Sequence, residues 1–201
     1  MIIVADAICH HFALPPPVQE LPSLLFRTTI SHMIRPIVRY GNRTLHNPAE
    51  HVPDVTSEIQ TIITDMIETM YAESGVGLAA PQIGIPLRIF VADPSGGQDD
   101  SRLVVMVNPE WIEQHGTQRE DEGCLSVPGF SASVPRPLHA TIRGLDRAGT
   151  SREVEGTGIL ARAFGHEMDH LDGSLFLAHL RGIRRDMMLR KIKKLRRSGK
   201  W

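Results

Sequence analysis

The sequence predicts an α+β fold, in which a long helix comes first, short strands follow, and two further helices close the chain. Helical apolar spacing gives way to short apolar runs separated by glycine and proline, and it returns near the end. No internal repeat is visible, and no linker separates two folded domains. A chain of 201 residues, 41% hydrophobic and 22% charged, suits one globular domain that buries a core.

The first helix is expected from about Val55 to Ala72. Asp54 or Thr56 can cap its start, and Gly75 follows its end. Its apolar residues recur at three- and four-residue spacing and form one stripe for burial, made of Ile59, Ile62, Ile63, Met66, Ile67 and Met70.

Short strands and two more helices are expected after it. The strand-like runs are Leu87–Ala92, Leu103–Val107 and Leu138–Leu145. The second helix is expected from about Ile159 to Leu171, where Asp172-Gly173 ends it. A third helix is expected from about Arg184 to Arg197.

Composition divides the chain into three parts. Residues 1–32 contain Pro15-Pro16-Pro17 and no clear period, whereas Met33 opens a run typical of the start of a domain. We expect residues 1–32 to be an N-terminal extension, either poorly ordered or upstream of a true start at Met33, and we favour the second hypothesis. Residues 33–180 would form the folded domain, and residues 181–201 a basic C-terminal helix.

The net charge of −1 conceals a strong asymmetry. Residues 181–201 hold ten of the 22 Lys and Arg residues and one of the 23 acids, Asp186, which leaves 12 basic and 22 acidic side chains elsewhere. Charge separated this sharply suggests an anionic partner for the tail. Its narrow apolar stripe of Met188, Ile192 and Leu195 also allows a simpler interpretation, a solvated helix packed on the domain.

Signals for export or membrane insertion are absent from the sequence. No apolar stretch approaches the roughly 20 residues of a membrane span, and Ile2–Ala5 is too short for a signal-peptide core. Two cysteines, Cys9 and Cys124, are too few for a disulfide framework. We therefore expect a soluble, cytoplasmic protein with no membrane partner.

His166-Glu167-Met168-Asp169-His170 is the strongest chemical signal. Residues four apart lie on one face of a helix, so both imidazoles can bind one metal ion, and Glu167 can take a proton from water. A solvated polar turn is the simpler interpretation. Buried polar groups need partners, however, and apolar residues flank this motif, namely Leu160, Ala163, Phe164 and Leu171.

A catalytic metal site usually has three protein ligands, so one ligand is missing from this motif. Cys124, in Glu122-Gly123-Cys124-Leu125-Ser126-Val127-Pro128, is the preferred candidate, because a thiolate beside glycine can approach a metal ion closely. A lone cysteine is otherwise most often a buried hydrophobic residue. His179 is the alternative, and a zinc peptidase with its third ligand after the helix would use it.

A third segment of interest is Gly75-Val76-Gly77-Leu78-Ala79-Ala80-Pro81-Gln82-Ile83-Gly84. Its glycines allow the backbone to approach a ligand, and Gln82 offers an amide donor to a carbonyl oxygen. The segment has no lysine of a phosphate-binding loop and no Rossmann spacing, which argues against nucleotide binding. Alone, it indicates little more than a tight turn.

Together, GVGLAAPQIG, EGCLSVP and HEMDHLDG resemble, in order and separation, the signature motifs of the peptide deformylases, over about Met33 to Leu180. The resemblance implies mixed or antiparallel sheets packed around a central metal-binding helix, with a helix at the C-terminus. It implies a hydrolase that removes the N-formyl group from the N-terminal formyl-methionine of new polypeptides. Its cofactor would be Fe2+, which Zn2+ or Ni2+ can replace.

The resemblance also implies a role for each motif residue. The metal ligands would be Cys124, His166 and His170. Glu167 would accept a proton from the attacking water and deliver it to the departing amine. The Gln82 side chain and the Leu125 backbone N–H would stabilise the oxyanion.

Substrate binding is assigned by the same resemblance to Gly75, Val76, Gly77, Leu160 and Ala163. Gly77 would receive the formyl group, while Val76, Leu160 and Ala163 would line the pocket for the methionine side chain. Glu122 and Arg136 would form an ion pair that fixes the Cys124 segment.

Two positions depart from the family pattern. Gly165 stands where the family commonly has Gln, so a hydrogen bond behind the metal ligands would be missing. Ser131 stands where many bacterial members have a larger residue that touches the substrate backbone.

The expected partners are nascent formylated chains and, for residues 181–201, ribosomal RNA near the exit tunnel. A rival from another class is a non-catalytic ribosome-binding protein whose metal is only structural. Glu167 and Gln82 argue against that rival, because a structural metal site needs neither.

Overall fold

The computed structural model describes residues 33–201, which fold around two antiparallel sheets. Their strands are β1 (Gly77–Ala79), β2 (Ile89–Ala92), β3 (Val104–His115), β4 (Gln118–Gly123), β5 (Ser131–Arg136), β6 (His139–Leu145) and β7 (Ser151–Thr157). The main sheet has the order β1-β2-β3-β6-β7, and the small sheet pairs β4 with β5. Three helices accompany them, α1 (Ser57–Ala72), α2 (Ile159–Leu171) and α3 (Gly182–Arg197).

The predicted α+β class is confirmed, with the three expected helices in place. α2 has the predicted bounds. α1 begins two residues later than predicted because Thr56 caps it, with Thr56 Oγ1 accepting the Ile59 N–H at 3.4 Å. α3 begins at Gly182, two residues before the predicted start.

The predicted strands are present with shifted ends. β2 and β6 begin one or two residues later than expected, and β3 continues to His115 rather than ending at Val107. All pairs between the strands of residues 33–201 are antiparallel. β1, β4, β5 and β7 were not predicted.

The core lies on both faces of the main sheet, because successive side chains of β2 point to opposite faces and all of them are buried. Phe90 points to one face, where α2 packs and contributes the fully buried Phe164. Ile89 and Val91 point to the other face, where α1 contributes Met66. Each large apolar side chain buried in this way contributes about 1.5–3 kcal/mol to stability. The motif from His166 to His170 is therefore carried on a helix that packs against the core.

The chain before α1 is anchored by polar contacts. Met33 N–H donates to Asp65 Oδ1 at 3.0 Å, and Arg35 forms an ion pair with Asp65 at 2.7 Å. The predicted extension, residues 1–32, lies outside the described residues, and its division from the domain stays a prediction. Within residues 33–201, no helix is long and apolar enough to cross a membrane.

Candidate metal centre

Three side chains that could hold a metal ion meet between α2 and the small sheet. Cys124, His166 and His170 each offer one ligand atom, and these atoms all lie within 4.8 Å of one another. α2 carries both imidazoles on one face, with ring centroids 5.0 Å apart. Cys124 lies after β4, and its Sγ is 3.3 Å from His170 Nε2, across 46 residues of chain. The three predicted metal ligands are therefore brought together.

The backbone around Cys124 is fixed by turns and by the small sheet. Val127 N–H donates to the Cys124 carbonyl at 2.9 Å, and Phe130 N–H donates to the Val127 carbonyl at 3.3 Å. Gly123 pairs with Ser131 at the end of β4 and β5. The buried Cys124 thiol is thus held in a defined place beside α2.

Glu122 and Arg136 form the predicted ion pair behind Cys124. Arg136 donates to both carboxylate oxygens of Glu122, at 2.9 and 3.0 Å, and Glu122 Oε2 also contacts His166 Nδ1 at 3.2 Å. Burial alone would raise the pKa of Glu122, but the hydrogen bonds from His166 and Arg136 outweigh it and lower that pKa to about 2. An ionised carboxylate can only accept, so it orients the His166 ring with Nδ1–H toward Glu122.

Arg136 is held further by α2 itself. Its Nη1 donates to the Gly165 carbonyl at 3.1 Å and to Asp169 Oδ2 at 2.8 Å. A Cβ at Gly165 would lie 3.0 Å from Arg136 Cδ, so glycine provides the space that the guanidinium side chain occupies. The departure at Gly165 therefore coincides with a close approach of the Arg136 side chain, and the Gly165 carbonyl also accepts a hydrogen bond in this network.

Glu167 faces the glycine-rich segment from α2. It is 2% exposed, and its Oε2 has no hydrogen-bond partner among residues 33–201. Burial raises the pKa of Glu167 to about 7. Gly77 packs directly on it, because a Cβ there would lie 3.0 Å from Glu167 Cδ. A carboxyl group with this pKa and no protein partner is suited to proton transfer with a bound molecule.

The Gln82 amide is oriented by the backbone of its own segment. Ala79 N–H donates to Gln82 Oε1 at 2.8 Å, which leaves Gln82 Nε2 directed at the metal centre, 3.7 Å from Cys124 Sγ. The Leu125 N–H, next to Cys124, donates to no group of the described chain. Two N–H donors are therefore available beside the thiol, as an oxyanion site requires.

The donor set fits a divalent transition metal. One thiolate and two imidazoles leave a fourth position open, as in catalytic zinc-type sites. Burial, with the charges of His166 and Arg136, lowers the pKa of His170 well below its ordinary value, so this ring is neutral and able to bind a metal. Burial would also lower the pKa of His166, but hydrogen bonds to Cys124 and Glu122 raise it well above its ordinary value. Metal binding at His166 would therefore displace a proton.

A cavity of about 810 Å³ opens at this centre. Four of the five predicted substrate residues line it, namely Gly75, Val76, Gly77 and Ala163. Leu160 is outside the lining and packs on the core with Phe164. Ser131, which departs from the family pattern, also lines this cavity.

Several residues of the cavity wall were missed by sequence reasoning, namely Ile37, Arg39, Phe130, Ile159 and Arg162. Helical spacing could have indicated two of them, because Ile159 and Arg162 lie four residues before Ala163 and His166. The other three come from segments with no regular period.

His179 lies apart from the metal donors. Its Nε2 is 2.7 Å from Asp169 Oδ2 and 3.4 Å from Arg136 Nη1. Within residues 33–201, the group of possible metal donors at this centre contains Cys124 and not His179. The geometry therefore favours Cys124 as the third ligand and disfavours the peptidase alternative.

Comparison with known sequences identifies relatives over most of the chain. A family model for polypeptide deformylase matches residues 34–186. The peptide deformylase of Acidobacterium capsulatum is 44% identical over 169 residues, which are 84% of this chain and 99% of that protein. Peptide deformylase 2 of Nitrosomonas europaea is 40% identical over 179 residues, 88% of this chain and 96% of that protein.

Solved structures agree with the sequence comparison. A peptide deformylase from Legionella pneumophila superposes with a TM-score of 0.77 at 42% identity, over 83% of this chain and 98% of that one. A peptide deformylase from Ehrlichia chaffeensis in complex with actinonin gives a TM-score of 0.73 at 34% identity, over 80% and 96% of the chains. The chain therefore belongs to the polypeptide deformylase family, metal-dependent hydrolases that remove the N-formyl group from newly synthesised polypeptides.

Proposed function

We propose that this chain holds Fe2+ with three ligands and uses it to release formate from the N-terminal formyl-methionine of new polypeptides. The ligands are Cys124, His166 and His170. The observation that carries this proposal is that Cys124, His166, the Glu167 carboxyl and the Gln82 amide line one cavity, with His170 Nε2 3.3 Å from the Cys124 thiol. A thiolate with two imidazoles also accepts zinc or nickel. When bound, the ion supplies Lewis acidity, which lowers the pKa of coordinated water and polarises a carbonyl oxygen.

Glu167 carries the proton through the reaction. The positive charge of an ion held by the three ligands would favour the ionised form of this carboxyl at neutral pH. It accepts a proton from the water whose oxygen attacks the formyl carbon. It then gives the proton to the amide nitrogen as the C–N bond breaks, which yields formate and a free amine. Burial of Glu167 keeps this proton from exchanging with bulk water during the step.

The Gln82 amide and the Leu125 N–H stabilise the negative charge that develops on the formyl oxygen. The bond from Ala79 N–H fixes Gln82 before the substrate arrives, so little reorganisation is needed. Each donor of this kind contributes about 3 kcal/mol in the transition state.

Two parts of the cavity wall determine substrate specificity, one for the formyl group and one for the methionine side chain. Gly77 admits the small formyl group, and any side chain there would overlap Glu167. Val76 and Ala163 contact the methionine side chain, with Leu160 supporting that wall from the core. Gly75 presents backbone to the substrate.

We also propose that α3 binds ribosomal RNA. The enzyme would then act in the cytoplasm, where new chains emerge. Four cations of α3 surround a shallow concavity with Ser198, namely Arg190, Lys193, Lys194 and Arg197. Phosphates would bind there in a salt-dependent manner. Changing Arg190, Lys193 and Lys194 to Glu should abolish co-sedimentation with ribosomes at low salt. Unchanged binding would refute the RNA contact.

The deciding experiment is formate release from formyl-Met-Ala-Ser by anaerobically purified, iron-loaded protein, beside Glu167→Ala. Rapid release that collapses in the variant, at equal metal content, is the expected result. Fully metallated protein that releases no formate would refute the proposed function. Metal content of Cys124→Ser and His179→Ala tests the ligand set, because only the first should lose metal.

A further inference from the structure

Phe130 lines the cavity and also contacts the C-terminal segment. Its ring contacts Trp201, with ring centroids 6.2 Å apart at an interplanar angle of 62°, and Lys191 Nζ lies 5.3 Å from the Phe130 centroid. A single aromatic ring therefore joins the tail to the proposed substrate site.

Trp201 also anchors a second part of the same wall. Its Nε1 donates to the Tyr40 carbonyl at 3.1 Å, and Tyr40 N–H donates to the Ser126 carbonyl at 2.8 Å. Arg39, the neighbour of Tyr40, lines the cavity. Trp201 thus contacts both the segment before α1 and the turn that follows Cys124.

The position of Trp201 is set by α3 rather than by the cavity. Ile192 of α3 is 1% exposed and packs in a core cluster with Leu45 and Phe176. The Arg196 guanidinium packs over Gly41, since a Cβ there would lie 2.6 Å from Arg196 Cζ. The end of α3 therefore packs against the turn that follows Tyr40.

We propose that Trp201 is a positioning residue for Phe130, and that the Phe130 ring sets affinity for the peptide beyond formyl-methionine. This inference rests on the proposed function. The formyl group and the methionine side chain are assigned to other parts of the wall, at Gly77 and Ala163, so the part that includes Phe130 is available to the residues that follow. Ser131 beside it is small, which leaves the aromatic ring as a large apolar contact. A ring held in place before binding loses less entropy than a mobile one.

The test compares formyl-Met-Ala-Ser with formyl-methionine amide in Trp201→Ala. KM for the longer substrate should rise about three- to tenfold, the value of one aromatic pair, while kcat stays constant. KM for the amide should not change. Trp201→Phe should restore most of the affinity because it keeps a ring against Phe130. Lys200→Ala, an exposed neighbour, is the matched control and should behave as wild type.

A double-mutant cycle separates positioning from general stability. In a Phe130→Ala background, Trp201→Ala should cause no further rise in KM. Additive effects, an equal rise for both substrates, or no rise at all would overturn the inference. Wild-type protein that releases no formate from either substrate would refute the proposed function instead.

A binding measurement without turnover completes the test. Trp111→Phe leaves Trp201 as the single tryptophan of the chain, which has two. Its fluorescence should change saturably with the product peptide Met-Ala-Ser and remain constant with methionine amide. A flat response to the tripeptide would overturn the inference independently of catalysis.

Discussion

Replacing Glu167 with glutamine should stabilise the metal-free protein at alkaline pH while it abolishes catalysis. Glu167 is 2% exposed, and its Oε2 has no partner among the described residues. Burial therefore raises the pKa of this carboxyl from 4.5 to about 7. The folded metal-free protein must carry a buried negative charge once the pH exceeds that value, and glutamine removes the charge at constant shape.

The direction in which stability changes with pH follows from how many protons the folded and unfolded states bind. Between pH 4.5 and about 7 the folded state holds a proton on Glu167 that the unfolded chain has lost, so stability falls as the pH rises through this window. Above about 7 both states are ionised and the full cost is present. At 1.36 kcal/mol for each pH unit, the rise of the pKa corresponds to about 3 kcal/mol.

Urea unfolding of chelator-treated wild type and Glu167→Gln, at pH 4.5 and pH 8.5, measures this difference. The advantage of the variant should be about 3 kcal/mol larger at pH 8.5 than at pH 4.5. Any cost of burying the amide is present at both values and cancels. Glu120→Gln, at an exposed position of β4, is the control for loss of a surface charge. An equal advantage of Glu167→Gln at both pH values would refute the assigned burial cost.

Three other substitutions test separate contacts of the site. Gly77→Ala places a methyl group on the Glu167 carboxylate and should lower kcat/KM about 100-fold with metal content unchanged; full activity would contradict this packing. Gln82→Leu removes an oriented donor and should lower kcat about 100- to 1000-fold at constant KM, whereas a KM effect alone would assign Gln82 to ground-state binding. Gly165→Ala gains about 1 kcal/mol of helix propensity but presses on Arg136, which costs about 1–3 kcal/mol. Its unfolding free energy in urea should therefore not rise, and chelator should remove metal faster; a more stable variant with unchanged metal loss would contradict this account.

The helices were predictable because each has a local signal. The bounds of α2 follow from its apolar spacing and from the Asp172-Gly173 pair at its end. The start of α1 was predicted two residues early, because the sequence offered both Asp54 and Thr56 as caps and the helix uses Thr56. The sequence indicated Cys124 as the third candidate ligand, but its position beside α2 depends on how the small sheet packs against that helix.

The missed strands carry little local signal. β4 has the sequence QREDEG, in which Glu122 alone is buried, so no alternation marks it as a strand. β1 has three residues and exists because β2 pairs with it. Arg39 and Phe130 belong to the cavity wall only through contacts between distant segments. Such positions depend on the assembled fold and have no period of their own.

The placement of donors on two separate segments makes a bound ion a reversible cross-link. Cys124 and His170 are 46 residues apart, and within residues 33–201 no disulfide ties the β4–β5 hairpin, which contains Cys124, to α2. By analogy with a disulfide, closing a loop of this length removes about 4 kcal/mol of unfolded-state entropy. Loss of the ion or oxidation of Cys124 would release that constraint, and the hairpin would open more often to proteases. Molecules that can no longer catalyse would then also be those most readily degraded.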